Sequence, residues 1–142
     1  MTSFKEQKLY NNWVKAWNED IDILDEITAR DCRVHQARTD GESSLDTQGP
    51  EALKGIIQDA CAFFNDVEMK VEVGPVIDEP YLSARWKFTG IYNGKMPGAK
   101  ARSGEAVAFN GMDIFLVENG RFKEYWVSSD GIDLMKQLQM ME

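Results

Sequence analysis

Asn119-Gly120-Arg121-Phe122-Lys123-Glu124-Tyr125-Trp126-Val127-Ser128-Ser129-Asp130 is the stretch on which the fold turns. Asn-Gly supplies the positive φ angles of a two-residue hairpin, so a strand must run into it and another out of it. The outgoing strand spans about 121–128. Strict alternation puts Phe122 and Trp126 on one face, with Tyr125 and Val127 on the other. Asp130 reads as the cap of a closing helix that carries Ile132, Leu134, Met135 and Leu138, and Asp133 in its first turn suits the helix dipole.

The incoming strand, about 104–117, is apolar on both sides. Val107, Phe109, Gly111, Asp113 and Phe115 share one face; Ala106, Ala108, Met112, Ile114 and Leu116, with Asn110, share the other. Both faces are therefore expected to be covered, one by helices and the other by a second subunit. Further upstream, Leu82, Ala84, Trp86 and Phe88 alternate with polar residues, as do Val67, Met69, Val71 and Val73. These predict two more strands, and Gly74-Pro75 is expected to break or bend the earlier one.

Before them the period is helical. Ser3 and Glu6 read as a capping box for a helix carrying Leu9, Tyr10, Trp13, Val14 and Trp17. Asp20 caps a short helix with Ile21, Leu24 and Ile27 facing inward. Residues 30–37 predict a short strand, and 39–49 a polar loop. Pro50 opens a helix with Leu53, Ile56, Ile57, Ala60, Phe63 and Phe64 on its apolar side, closed by Asn65-Asp66. Helices, one strand, a helix and then consecutive strands predict an α+β domain, an antiparallel sheet with helices on one side. Residues 1–142 fit a single domain of this kind.

Composition narrows the function. The 142 residues carry a formal charge of -8, with basic residues scattered among acids. Phosphate-backbone binding needs clustered Lys and Arg, so nucleic acid is excluded as a partner, and an anionic membrane surface is disfavoured too. There is no apolar leader and no 18-residue apolar run, which predicts a cytoplasmic protein without a membrane span. Cys32 and Cys61 are then read as reduced thiols. With one histidine, His35, and no metal-ligand spacing, no metal is expected.

A set of short motifs runs through almost the whole chain. They are Trp17-Asn18, Asp31, His35, Gly49 to Lys54, Phe63 to Asp66, Ala84-Arg85-Trp86 with Gly90, Phe109 to Phe115, and Asn119 to Trp126 with Asp130. In this order the set resembles the SnoaL-like polyketide cyclases of the NTF2-like superfamily. The resemblance implies a curved sheet wrapped against N-terminal helices into a cone with an apolar pocket. It implies homodimers or higher homo-oligomers built on the sheet, and intramolecular aldol chemistry without metal or cofactor. In those cyclases a carboxylate removes a carbon-bound proton and polar neighbours stabilise the enolate. Their catalytic acid aligns at or near Val127, which cannot move a proton, and their polar residue on the preceding strand aligns near Asp113.

Asp113 is thus the leading candidate for a general base. It lies mid-strand between Phe109 and Phe115, where poor solvation would raise its pKa. His35, as a neutral imidazole, and Tyr125, through its hydroxyl, are its expected partners. Trp13, Trp17, Phe63, Trp86, Phe109 and Val127 are the expected walls for a small hydrophobic ligand. The leading expectation is a cofactor-free cyclase or isomerase acting on a hydrophobic carbonyl compound. The alternative is a non-catalytic binding or oligomerisation domain on the same fold, which Val127 favours. Hydrolysis or dehydration would need more converging acidic or histidine side chains than the sequence places.

Overall fold

The structure is a computed structural model and describes residues 2–36 and 48–140. Helix α1 (Thr2–Asn18) is followed by a 3-10 turn (Ile21–Ile23), α2 (Leu24–Ile27), β1 (Thr28–Gln36), α3 (Gly49–Cys61), β2 (Phe64–Asp78), β3 (Tyr81–Tyr92), β4 (Ala106–Glu118), β5 (Arg121–Ser129) and α4 (Gly131–Gln137). The expected capping role of Ser3 and most of the expected 39–49 loop lie outside the described residues.

The five strands form one sheet in the order β1-β5-β4-β3-β2. The β2, β3, β4 and β5 neighbours pair antiparallel, while β1 lies parallel to β5. That parallel edge makes the sheet mixed, and α3 lies in the long connection such a return requires. The hairpin is as read: Asn119 and Gly120 both have positive φ. Asp20 caps the 3-10 turn, its carboxylate accepting from the Asp22 N–H at 3.0 Å.

Three expectations need correcting. The third helix stops at Cys61, and Phe64, Asn65 and Asp66 belong to β2 instead. Phe64 pairs with Tyr92, and the Phe63 carbonyl accepts from the Asn93 N–H, so strand pairing outbids continuation of the helix. Asp130 stands at the start of α4, but its side chain makes no capping bond; its backbone N–H donates to the Asn110 carbonyl at 2.9 Å. Phe122 and Trp126 do not share a face. A register shift between Leu116 and Val117 brings Val117 opposite Phe122 and Leu116 opposite Glu124. This bulge turns Phe122 inward with Tyr125 and sends Trp126 out.

The helices cover one face of the sheet. Trp13 sits at the centre of that packing, with its ring against those of Phe115, Tyr125, Phe122 and Trp17. A second apolar cluster continues along the same face through Trp86, Phe88, Tyr92, Val107 and Leu138, and α4 closes over it. Two side-chain amides take the place of strand neighbours. Asn18 donates to the Met69 carbonyl and accepts from its N–H, at 2.8 and 2.7 Å. Gln137 does the same for Ala108, at 2.7 and 3.1 Å. These bonds satisfy backbone groups that the ladder leaves open and fasten α1 and α4 to the sheet.

Candidate active site

β4 alternates as a strand must. Val107, Gly111, Asp113 and Phe115 are buried on the helix-covered inner face, whereas Met112 and Ile114 are 54% and 44% exposed on the outer one. Asp113 is thereby carried into an aromatic interior at 1% exposure. The Tyr10 hydroxyl, from α1, donates to both carboxylate oxygens at 3.1 and 2.9 Å. Trp13 follows on the same helix, and Trp86 enters from β3, where it pairs with Gly111. Both indole N–H groups face the carboxyl and help to hold its pKa down, yet neither reaches an acceptor with hydrogen-bond geometry.

Burial dominates this balance. Loss of hydration pushes the Asp113 carboxyl up to about 7, against the pull of the Tyr10 hydroxyl, the Ala84 backbone N–H and the two indoles. A carboxyl titrating there can both take and return a proton near neutral pH. Burial, reinforced by the neighbouring Asp113 charge, raises the phenols of Tyr10 and Tyr125 well above their usual range, so both remain protonated donors.

Tyr125 is buried beside this group, its ring stacked on Phe115 at 4.6 Å between centroids. Val127 lies directly across the ladder from Asp113. The position expected to hold an acid is therefore adjacent to one, on the same face. Trp17, Phe63, Phe109 and Val127 are half-buried around the second apolar cluster, while Trp13 and Trp86 are fully inside.

The structure does not bring His35 to Asp113. Val34 points inward, so its neighbour His35 points out. There its Nε2 lies 2.5 Å from a Glu124 carboxylate oxygen, and its ring stacks on Trp126 at 5.3 Å and 8°. Tyr10, which the sequence presents only as one member of an apolar helix stripe, takes the partner's role. Its signal was available: it is the hydroxyl-bearing residue of that stripe, three positions before Trp13.

An open apolar groove of about 530 Å3 crosses the outer face, lined by Val76, Tyr81, Leu82, Ile114 and Trp126 with Asp78 and Ser83. Asp113 does not line it. Cys32 and Cys61 are free thiols; burial pushes Cys32 up to about 12, far from a reactive thiolate. Among the described residues, no three His, Cys, Asp or Glu side chains are grouped to hold a metal, and no helix is long and apolar enough to cross a membrane.

N-terminal helices against a curved mixed sheet, with an acid on its inner face, define an NTF2-like α+β protein. Solved structures agree. TsrD from Streptomyces laurentii superposes with a TM-score of 0.80 at 25% identity, covering 96% of each chain. IdmH from Streptomyces antibioticus, described as a candidate polyketide cyclase, gives 0.80 at 24% identity over 94% of this chain and 97% of its own. AclR from Streptomyces galilaeus, described as a candidate hydroxylase, gives 0.77 at 17% identity over 96% of each. No curated protein matches the chain. The chain belongs to the SnoaL-like polyketide cyclase family, which it matches over residues 7–138.

Proposed function

We propose that this chain is a cofactor-independent enzyme that transfers a proton to and from carbon in a small hydrophobic carbonyl compound, with Asp113 as the base. The reaction is an intramolecular aldol closure or an isomerisation. The observation that carries this reading is the buried Asp113 carboxyl, bonded to Tyr10 and raised to about 7 inside an aromatic interior. None of the ion pairs found among the described residues involves Asp113, so its carboxyl can change protonation state without leaving a buried cation unpaired. Tyr10 orients the carboxyl, and Tyr125 supplies a second buried phenol nearby. Phe109, Val127, Trp17 and Phe63 are half-buried around the neighbouring apolar cluster, so on this reading substrate entry requires rotation of these side chains. Val127 then serves as wall beside the acid.

The outer face supports homodimer formation. Val76, Tyr81, Met112 and Ile114 are exposed together with the groove at Trp126, a patch that a second copy would cover. A non-catalytic binding domain is the alternative, and the full burial of Asp113 is what favours it.

Native mass spectrometry for a copurifying ligand, followed by turnover of that ligand with Asp113→Asn, tests the reading. Loss of turnover by at least a hundredfold is expected. Turnover equal to the wild type's removes Asp113 from the mechanism.

A further inference from the structure

Tryptophan indoles buried in a protein interior find an acceptor for their N–H, because an unmade hydrogen bond there carries the full desolvation cost. Here Trp13 and Trp86, at 0% and 5% exposure, have buried N–H groups without an acceptor among the described residues. Both face the same carboxyl. The arrangement is also built for by a neighbouring position. Gly111 lies opposite Trp86 in the ladder, and a Cβ added there would run into Cζ2 and Cη2 of the Trp86 ring. The backbone of Gly111 is not in the left-handed region, so what this glycine provides is room. The missing side chain lets the Trp86 indole lie over Gly111 on β4, next to Asp113.

We propose that the Trp86 indole N–H, seated on Gly111, is the hydrogen-bond donor to the substrate's enolate oxygen, with the Trp13 N–H as a second donor. This rests on the reading of Asp113 as the base. In the step, the substrate C–H bond breaks and its proton forms an O–H bond on Asp113. The electron pair moves onto the carbonyl oxygen, giving the enolate. Negative charge thus leaves the carboxylate and appears on an oxygen a few ångströms away. Donors already facing the carboxyl serve the second charge as they served the first, with no reorganisation at the moment of reaction. The substrate is accordingly an enolisable compound whose carbonyl is presented side by side with its acidic carbon, such as a β-dicarbonyl. Return of the proton from Asp113 to carbon completes an isomerisation; alternatively the enolate carbon attacks a second carbonyl of the same molecule and Asp113 gives its proton to the alkoxide so formed, and either route closes the cycle without any co-reactant.

Two measurements test it. The first follows the four indole N–H resonances by 15N–1H spectroscopy across the pH range in which Asp113 ionises. Trp13 and Trp86 should move with one common midpoint in the wild type and stay still in Asp113→Asn, while Trp126, stacked on the titratable His35 that pairs with Glu124 on the outer face, should behave identically in the two proteins. Static Trp13 and Trp86 signals in the wild type overturn the inference, and because this arm needs no Trp variant it stands even if one fails to fold. The second titrates 4-nitrophenol, whose anion mimics an enolate and is seen by its visible absorption, with every protein carrying Asp113→Asn, so that the site stays neutral at a pH where the phenol is ionised. In this background the otherwise wild-type protein should bind the anion, and Trp86→Phe should bind it about tenfold more weakly, as expected for one lost charge-assisted bond; Trp126→Phe should match the otherwise wild-type protein. Moving indole signals with equal anion binding by the otherwise wild-type protein and Trp86→Phe in this background, or with no binding by either, show donors serving the carboxylate alone and overturn the inference while leaving Asp113 as the base. An Asp113 that does not titrate near neutral pH removes the underlying reading instead.

Discussion

The inner and outer faces of the sheet start from similar residues and end as different surfaces. On β4 the inner face carries Val107, Phe109, Asp113 and Phe115, and the outer face Ala108, Met112, Ile114 and Leu116. Inside, the helices remove water, the rings interlock and the one acid loses its solvation. Outside, the single histidine keeps company with Glu124 and Trp126 at the rim of an open groove. What separates the two is the cover, and cover decides which titratable group is chemically useful. An ionisable residue on the outer face keeps its water. Asp113 does not, so its protonation becomes available near neutral pH.

The largest effect should come from breaking the inner packing. Phe115→Ala removes a ring that touches Tyr10, Trp13, Phe122 and Tyr125, and should cost about 3–5 kcal/mol in denaturant unfolding. Ile114→Ser, one residue away on the outer face, should cost less than about 1 kcal/mol. Equal costs would mean that the two faces are equally covered.

The acid itself gives the next effect. The carboxyl of Asp113 rises from 3.8 to about 7 on folding. A raised pKa contributes stability that is fully present below the unfolded value and is lost as pH rises through the folded one. Wild type should therefore lose stability relative to Asp113→Asn between about pH 4 and pH 7, by up to roughly 4 kcal/mol. Unfolding curves across that range check it; a constant difference between the two proteins would contradict the account. Tyr10→Phe removes a donor to the carboxylate, so the loss should begin at the same pH but continue to a higher pH and grow larger.

Smaller effects belong to the outer face. His35→Ala breaks a partly exposed pair and a ring stack, and should cost less than about 1 kcal/mol while leaving the Asp113 titration unmoved. Ile114→Lys should leave the fold intact but weaken self-association in sedimentation velocity, if the outer patch joins two copies.

Much of this contrast was legible in the sequence, and the exceptions have physical reasons. Periodicity finds β3, β4 and the hairpin because alternation and Asn-Gly are local signals. It also puts Asp113 on the face of Phe109 and Phe115. Alternation alone does not say which face meets the helices, and it fails across a bulge. That is why Trp126 appears to follow Phe122, and why the return of β1 alongside β5, which fixes His35 outside, had no local signature. Tyr10 and Asp113 are 103 residues apart. Their pairing depends on how α1 crosses the sheet, which no spacing rule contains. Likewise Gly111 reads as a weak point in a strand until Trp86 is seen lying over it.

The most direct test of the central claim is a pH titration of the Asp113 side-chain carboxyl, followed by its 13C resonance in the wild-type protein and assigned by its absence in Asp113→Asn. A buried proton-transfer group on the inner face predicts a midpoint near 7, rising further in Tyr10→Phe and unchanged in His35→Ala. A midpoint in the ordinary carboxylate range, near 3.8, would show that water reaches Asp113 and would contradict the assignment of this face as the reactive one.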